Sequence, residues 1–157
     1  MDRQQLVAYL DRIGLAEEPS HDIEGIGMMQ RAHLETVPFE NLDILAGKTP
    51  LDLSEKALFD KIVRRKRGGT CYELNFLYAA ALHALGFDLE LRGGRIYDDG
   101  NEFDHVFLMV TDPDDCASDP WITDVGFAYN IATPIRFTPG IVQEDGRCQY
   151  RIDEVDV

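Results

Sequence analysis

Residues 71–85, CYELNFLYAAALHAL, constrain the fold more than any other stretch of this sequence. The run is apolar nearly all the way round a helix, so a helix formed there has no face to give to water. The rest of the chain must wrap it. Gly86 follows where a helix C-terminus favours a residue at positive φ. Gly68 and Gly69 lie just ahead, and Cys71 falls in the first turn. The expectation is a buried central helix with a thiol at its N-terminus.

At 157 residues the chain can surround such a helix with one real core, built from two packed subdomains. Upstream the period is helical. Leu6, Val7, Leu10 and Ile13 share a helix face that Gly14 stops, and a second helix is expected from Asp22 to Glu35, ended by Pro38. Residues 37–52 read as an irregular connection. Asp52 or Ser54 then caps a helix that buries Leu58, Ile62 and Val63 and ends in the solvated basic run RRKR. After Gly86 the period changes to that of strands: 88–97 and 103–110, split by a turn at 98–101, then WITDVGF, then short strands near 134–138 and 147–152. The sequence therefore predicts an α+β protein, with a helical part (1–86) packed on a small antiparallel β-sheet or barrel (87–157).

Charge narrows the function classes. The net charge is −14, with 13 acids against 10 bases in residues 1–86 and 16 against 5 in residues 87–157. Such a surface repels nucleic acid and anionic membranes. No apolar run reaches the roughly 20 residues that cross a bilayer, and the charged N-terminus does not read as a signal peptide, so a cytoplasmic location is expected. Three cysteines without CxxC spacing predict neither a disulfide framework nor a metal site, and Cys116 and Cys148 read as inert or merely exposed thiols.

Cys71 stands apart. Free N–H groups and the positive end of a helix favour a thiolate, and the two glycines let a substrate or another strand approach the sulfur. A thiolate nucleophile needs an imidazole and a group to orient it. His21 reads as an exposed cap, His33 as packing or surface, and His83 as a helix-end residue. His105 lies in FDHVFLMV, where strand alternation puts Phe103, His105, Phe107 and Met109 on one face. Taken alone it reads more readily as a satisfied core histidine than as a catalytic one. Asp124, flanked by Ile122, Val125 and Phe127, is costly to bury without a partner. One hairpin-like loop separates its strand from that of His105, so the two can be sheet neighbours.

These residues resemble a known family. Arg67-Gly-Gly-Thr-Cys71-Tyr-Glu-Leu-Asn75 is similar to the active-site motif of arylamine N-acetyltransferases, Arg-Gly-Gly-x-Cys-(Phe/Tyr)-Glu-x-Asn. Val37-Pro-Phe-Glu-Asn-Leu42 resembles the family's upstream signature, Asp104-His-Val-Phe-Leu108 its histidine strand, and Asp124-Val-Gly-Phe127 its aspartate strand. The resemblance implies a papain- or transglutaminase-like scaffold with a Cys71–His105–Asp124 triad where helices and strands meet. It implies ping-pong transfer of an acetyl group from acetyl-CoA, as co-substrate and without a metal, through a Cys71 thioester to an arylamine or hydrazine. His105 would be the general base, Asp124 its orienting group and the Cys71 N–H an oxyanion donor. Glu40 and Arg67 would brace the site as an ion pair beside Gly68 and Gly69, and Phe39 and Phe127 would line the acceptor pocket.

The sequence also departs from that pattern. The resemblance leads to the expectation of a third, lid-like domain, which the motifs within residues 1–157 do not reach, as in a fragment or a short relative. Ala128 replaces the usual Gly and Asp104 the usual Thr. Asp104 closes a segment, Gly100-Asn101-Glu102-Phe103-Asp104, that touches coenzyme A in some relatives. It is thus a substrate-contact candidate, yet its two acids disfavour a polyanionic ligand. An amide synthase or a thioester hydrolase on the same scaffold, and a truncated non-catalytic binding module, are the alternative readings.

Overall fold

A computed structural model of the chain describes residues 1–97, 99–127 and 131–154. Helix α1 (Arg3–Arg12) starts at an Asp2–Gln5 capping box, and Gly14 ends its turn at φ 83°. Helix α2 (Ile23–Thr36) is capped by Asp22, whose carboxylate accepts from the Gly25 N–H at 2.7 Å. One short helical turn, α3 (Leu42–Leu45), lies inside the expected irregular connection. Helix α4 (Glu55–Leu58), capped by Ser54, runs straight on as a π-helical stretch, Phe59–Arg64. The wider turn brings Lys61 inward beside Ile62 and Val63, all three buried.

Helix α5 (Cys71–Ala84) is the axis of the fold. Leu74, Leu77, Tyr78, Ala81 and Leu82 are buried, packed against Leu6, Ile13, Ile26 and Ile62 on one side and Leu89, Leu108 and Val110 on the other. Helices and strands thus share one core. Fully burying each leucine or isoleucine contributes about 1.5–3 kcal/mol, which offsets the lack of any polar face on α5. Leu85 caps it and Gly86 follows at φ 93°.

Four strands form an antiparallel meander in the order β1 (Leu89–Gly94), β2 (His105–Val110), β3 (Trp121–Thr123), β4 (Ile135–Arg136). His105 pairs with Gly94, and Leu108 with Thr123. Two expectations are corrected here. Phe103 is not on the strand: it sits in the turn before it at φ 64° and is exposed, so it does not share a face with His105. The 147–152 strand does not close a barrel. It is β6 (Gln149–Arg151), paired with β5 (Val142–Glu144) in a separate hairpin. Gln143 fixes that hairpin by bonding both the N–H and the carbonyl of Arg136, each at 2.7 Å, so the backbone groups on the open side of β4 meet a side chain instead of a strand. Ala128 and Asp98 lie outside the described residues. Among those described, no helix is long and apolar enough to cross a membrane.

Candidate active site

The site is assembled where the N-terminus of α5 meets the start of β2 and the end of β3. Thr70 precedes the helix, and its N–H donates to the Glu73 carboxylate at 2.9 Å. Gly68 is required by a close backbone approach, and Gly69 by the Glu73 side chain, whose Cβ would lie 2.8 Å from a Cβ added there. Segment 38–40 pairs alongside them, with Gly69 N–H to Pro38 O at 3.3 Å and Glu40 N–H to Gly69 O at 2.9 Å. A Cβ on Gly68 would lie 1.8 Å from the Pro38 carbonyl oxygen. What the glycines admit next to the thiol is therefore another strand, the one that carries Phe39. Gly126 plays the same part opposite: a Cβ there would lie 2.7 Å from Cys71 Cα.

Cys71 is half-buried, and its thiol points to the Asp104 carbonyl oxygen at 3.9 Å. His105 and Asp124 are buried, and His105 Nε2 meets Asp124 Oδ2 at 2.5 Å. That contact leaves Nδ1 to serve the sulfur. Burial pulls the His105 pKa down, but hydrogen bonds with Asp124 and Cys71 outweigh it and raise the imidazole to about 9. The raised pKa lets the ring hold a proton taken from Cys71, as an imidazolium between a carboxylate and the sulfur, where it stabilises the anion on sulfur. The structure thus brings together all three residues that the sequence singled out for the chemistry.

Asn75 ends the quoted motif, but the sequence reading gave it no role. Fully buried one turn after Cys71, it donates to Val106 O at 2.7 Å and to Asp124 Oδ1 at 2.8 Å, and accepts from the Val125 N–H at 3.0 Å. With the Gly126 N–H at 2.8 Å, it holds the Asp124 oxygen that His105 does not use. The signal was present: a lone asparagine in an apolar helix must find partners inside the core.

The Glu40–Arg67 pair is present, with Arg67 donating through Nε at 3.0 Å and Nη2 at 2.7 Å to one Glu40 oxygen. It belongs to a larger cluster. Buried Lys61 lies 2.7 Å from Glu73 Oε1 and 3.0 Å from Asp43 Oδ2, and Arg67 reaches Asp43 at 3.3 Å. Burial lowers the Lys61 pKa, but the bonds to Glu73 and Asp43 carry it above the ordinary lysine value; hydrogen bonds from Lys61 and Lys48 hold Asp43 well below the carboxylate range. Glu73 thus joins the helix start to Lys61 and fixes Cys71 from behind.

A cleft of about 380 Å³ opens over the sulfur, lined by Phe39, Cys71, Ile96, Tyr97, Asp104, His105, Gly126 and Phe127. Phe127 packs on the His105 ring at 5.1 Å between centroids, while Phe39 stays half exposed at the rim. The three expected substrate contacts, Phe39, Asp104 and Phe127, all border this space. Among the other histidines, His33 is buried and bonded to the Tyr9 hydroxyl at 2.7 Å, and His21 stacks on Phe87; neither reaches the cleft. Cys116 and Cys148 are exposed elsewhere.

Comparison with known proteins gives the family. The N-acetyltransferase family model matches residues 22–157. The chain belongs to the arylamine N-acetyltransferase family. It is 40% identical over 154 residues to the arylamine N-acetyltransferase of Mycolicibacterium smegmatis, covering 94% of this chain and 55% of that one. Human arylamine N-acetyltransferase 1 is 34% identical, with 94% and 52% covered. The solved M. smegmatis structure superposes with a TM-score of 0.88 at 39% identity, over 99% of this chain and 58% of that chain. The Mycobacterium marinum structure in complex with CoA gives 0.86 at 35%, over 96% and 57%. The chain thus spans a little over half the length of these family members.

Proposed function

We propose that this chain carries the acyl-transfer site of an arylamine N-acetyltransferase, with residues 1–86 bringing the nucleophile and residues 87–157 the histidine and aspartate. The observation that carries the reading is the single imidazole, His105, held by Asp124 and shared with Cys71. In the first half-reaction Cys71 gives its proton to His105, and the sulfur attacks the thioester carbonyl of acetyl-CoA. The Cys71 N–H, free at the helix start, faces the developing oxyanion. The C–S bond to CoA breaks, and the proton on His105 goes to the leaving thiolate. In the second, an arylamine or hydrazine nitrogen attacks the Cys71 thioester, neutral His105 takes its proton, and the amide leaves as the sulfur is regenerated. Phe39 and Phe127 fit an aromatic acceptor, and acetyl-CoA as donor is supported by the relative solved with CoA.

A thioester hydrolase is the second reading, favoured by the exposure of Phe39 at the rim, which leaves the sulfur within reach of water. The two separate in one incubation of protein with acetyl-CoA, with and without an arylamine. Amide formation that grows with amine concentration supports transfer. Free CoA and acetate released at one rate, whatever the amine, refutes it.

A further inference from the structure

Three side chains of α5 grip carbonyls on the segment that leads into β2: Tyr72 holds Phe103, Cys71 meets Asp104 and Asn75 holds Val106. His105 sits inside this ladder. Two of the rungs are permanent. The Cys71 rung is not, because a sulfur that has lost its proton or become a thioester no longer donates to the Asp104 oxygen. While Cys71 is acylated, the Phe103–Asp104 side of His105 is left to the Tyr72 hydroxyl, which donates to the Phe103 carbonyl at 2.5 Å.

The turn it holds has little of its own beside His105: one long backbone bond, Asp104 N–H to Asn101 O at 3.3 Å. Phe103 occupies the left-handed region at φ 64°, which a bulky residue adopts only under constraint from its surroundings. Its ring lies over Gly93, where a Cβ would come within 1.9 Å of the ring edge, and its face is exposed. Packing on a glycine from one side leaves the carbonyl as the main handle on this residue. Asp104 and Tyr97, on either side of the turn, both line the cleft above Cys71.

We propose that the Tyr72 hydroxyl is a positioning group for acyl transfer: by holding the Phe103 carbonyl it keeps the turn before His105 in place while Cys71 is acylated. The inference rests on the acyl-transfer reading. It places Tyr72 beside the reacting atoms without contact to them, so its loss weakens the second half-reaction more than the first.

The test is Tyr72→Phe, which removes one oxygen. Acylation is followed by the p-nitrophenol burst from p-nitrophenyl acetate, and deacylation by the decay of the acyl-protein in the presence of an arylamine. Amine-dependent decay is expected to slow three- to tenfold, with the burst rate changed less than twofold and the melting temperature within about 3 °C. His105, followed by NMR, is expected to titrate at lower pH than in the parent. Equal rates in both half-reactions together with an unmoved His105 titration would overturn the proposal. So would a lower melting temperature with both half-reactions unchanged per folded molecule, which marks a purely structural bond. A parent protein that gives no burst sinks the acyl-transfer reading instead; the His105 titration of the two proteins then still decides whether Tyr72 positions the ring.

Discussion

Replacing Asn75 with alanine should cost more than any exposed substitution near the site. The side chain makes three hydrogen bonds inside the core, to Val106 O, Asp124 Oδ1 and the Val125 N–H. Alanine leaves the carbonyl and the N–H buried without those partners, at about 1–3 kcal/mol each, and removes one of three donors from a buried carboxylate. The sum is about 3–5 kcal/mol, a large share of the 5–15 kcal/mol typical of a domain. For a chain of this size that lowers the melting temperature by roughly 10–15 °C. Urea unfolding measures the loss, and iodoacetamide or acetyl-donor kinetics at low temperature, on protein shown to be folded, measure the site. With Asp124 free to turn, acylation should fall about ten- to a hundredfold. A loss below about 1 kcal/mol with parental acylation would refute the reasoning, because it would mean that Gly126 and water hold Asp124 without Asn75.

Other outcomes follow from the same geometry. Iodoacetamide near pH 7 should label Cys71 well before Cys116 and Cys148, read by peptide mass mapping, since only Cys71 has an imidazolium beside it; faster labelling of Cys116 would contradict this. His33 is buried and its pKa falls from 6.5 to about 3, through burial first and Arg12 second. The unfolded chain therefore binds a proton that the native one refuses, and stability is lost as pH falls from about 6.5 toward 3. At pH 4.5 the loss is about 2–3 kcal/mol, and His33→Gln should flatten that part of the pH–stability curve. Lys61→Met should destabilise by about 3–5 kcal/mol, measured by urea unfolding, because Glu73 and Asp43 lose their buried cation.

Much of the site could be read in the sequence, because its parts are local. A cysteine after two glycines at the head of an apolar helix, and a histidine and an aspartate on consecutive strands, declare themselves through helix geometry and sheet adjacency. The cap of α4 is legible as Asp52 or Ser54, and the structure uses Ser54. What escaped depends on contacts between distant segments or on a change of period. Lys61 carries no sign of burial in the sequence, and only the π-helical turn brings it inward beside Ile62 and Val63. Phe103 continues the apolar alternation of β2, yet backbone strain places it in the turn. Glu73 looks like a capping residue, and only its second oxygen, bonded to Lys61, shows that it braces the site from behind. The sheet stops at β4 because Gln143, eight residues on from Ile135, satisfies the backbone that another strand would have paired.

The central claim is that Cys71 becomes acylated with help from His105 and Asp124. Intact-protein mass spectrometry after a brief acetyl-CoA pulse and acid quench tests it most directly, on the parent, His105→Ala and Asp124→Asn. The parent should gain one acetyl group, mapped to the peptide containing Cys71. His105→Ala, confirmed as folded, should gain none on that timescale, and Asp124→Asn should gain it at least a hundredfold more slowly. An adduct on another residue, or full acetylation of Cys71 in folded His105→Ala, would contradict the account.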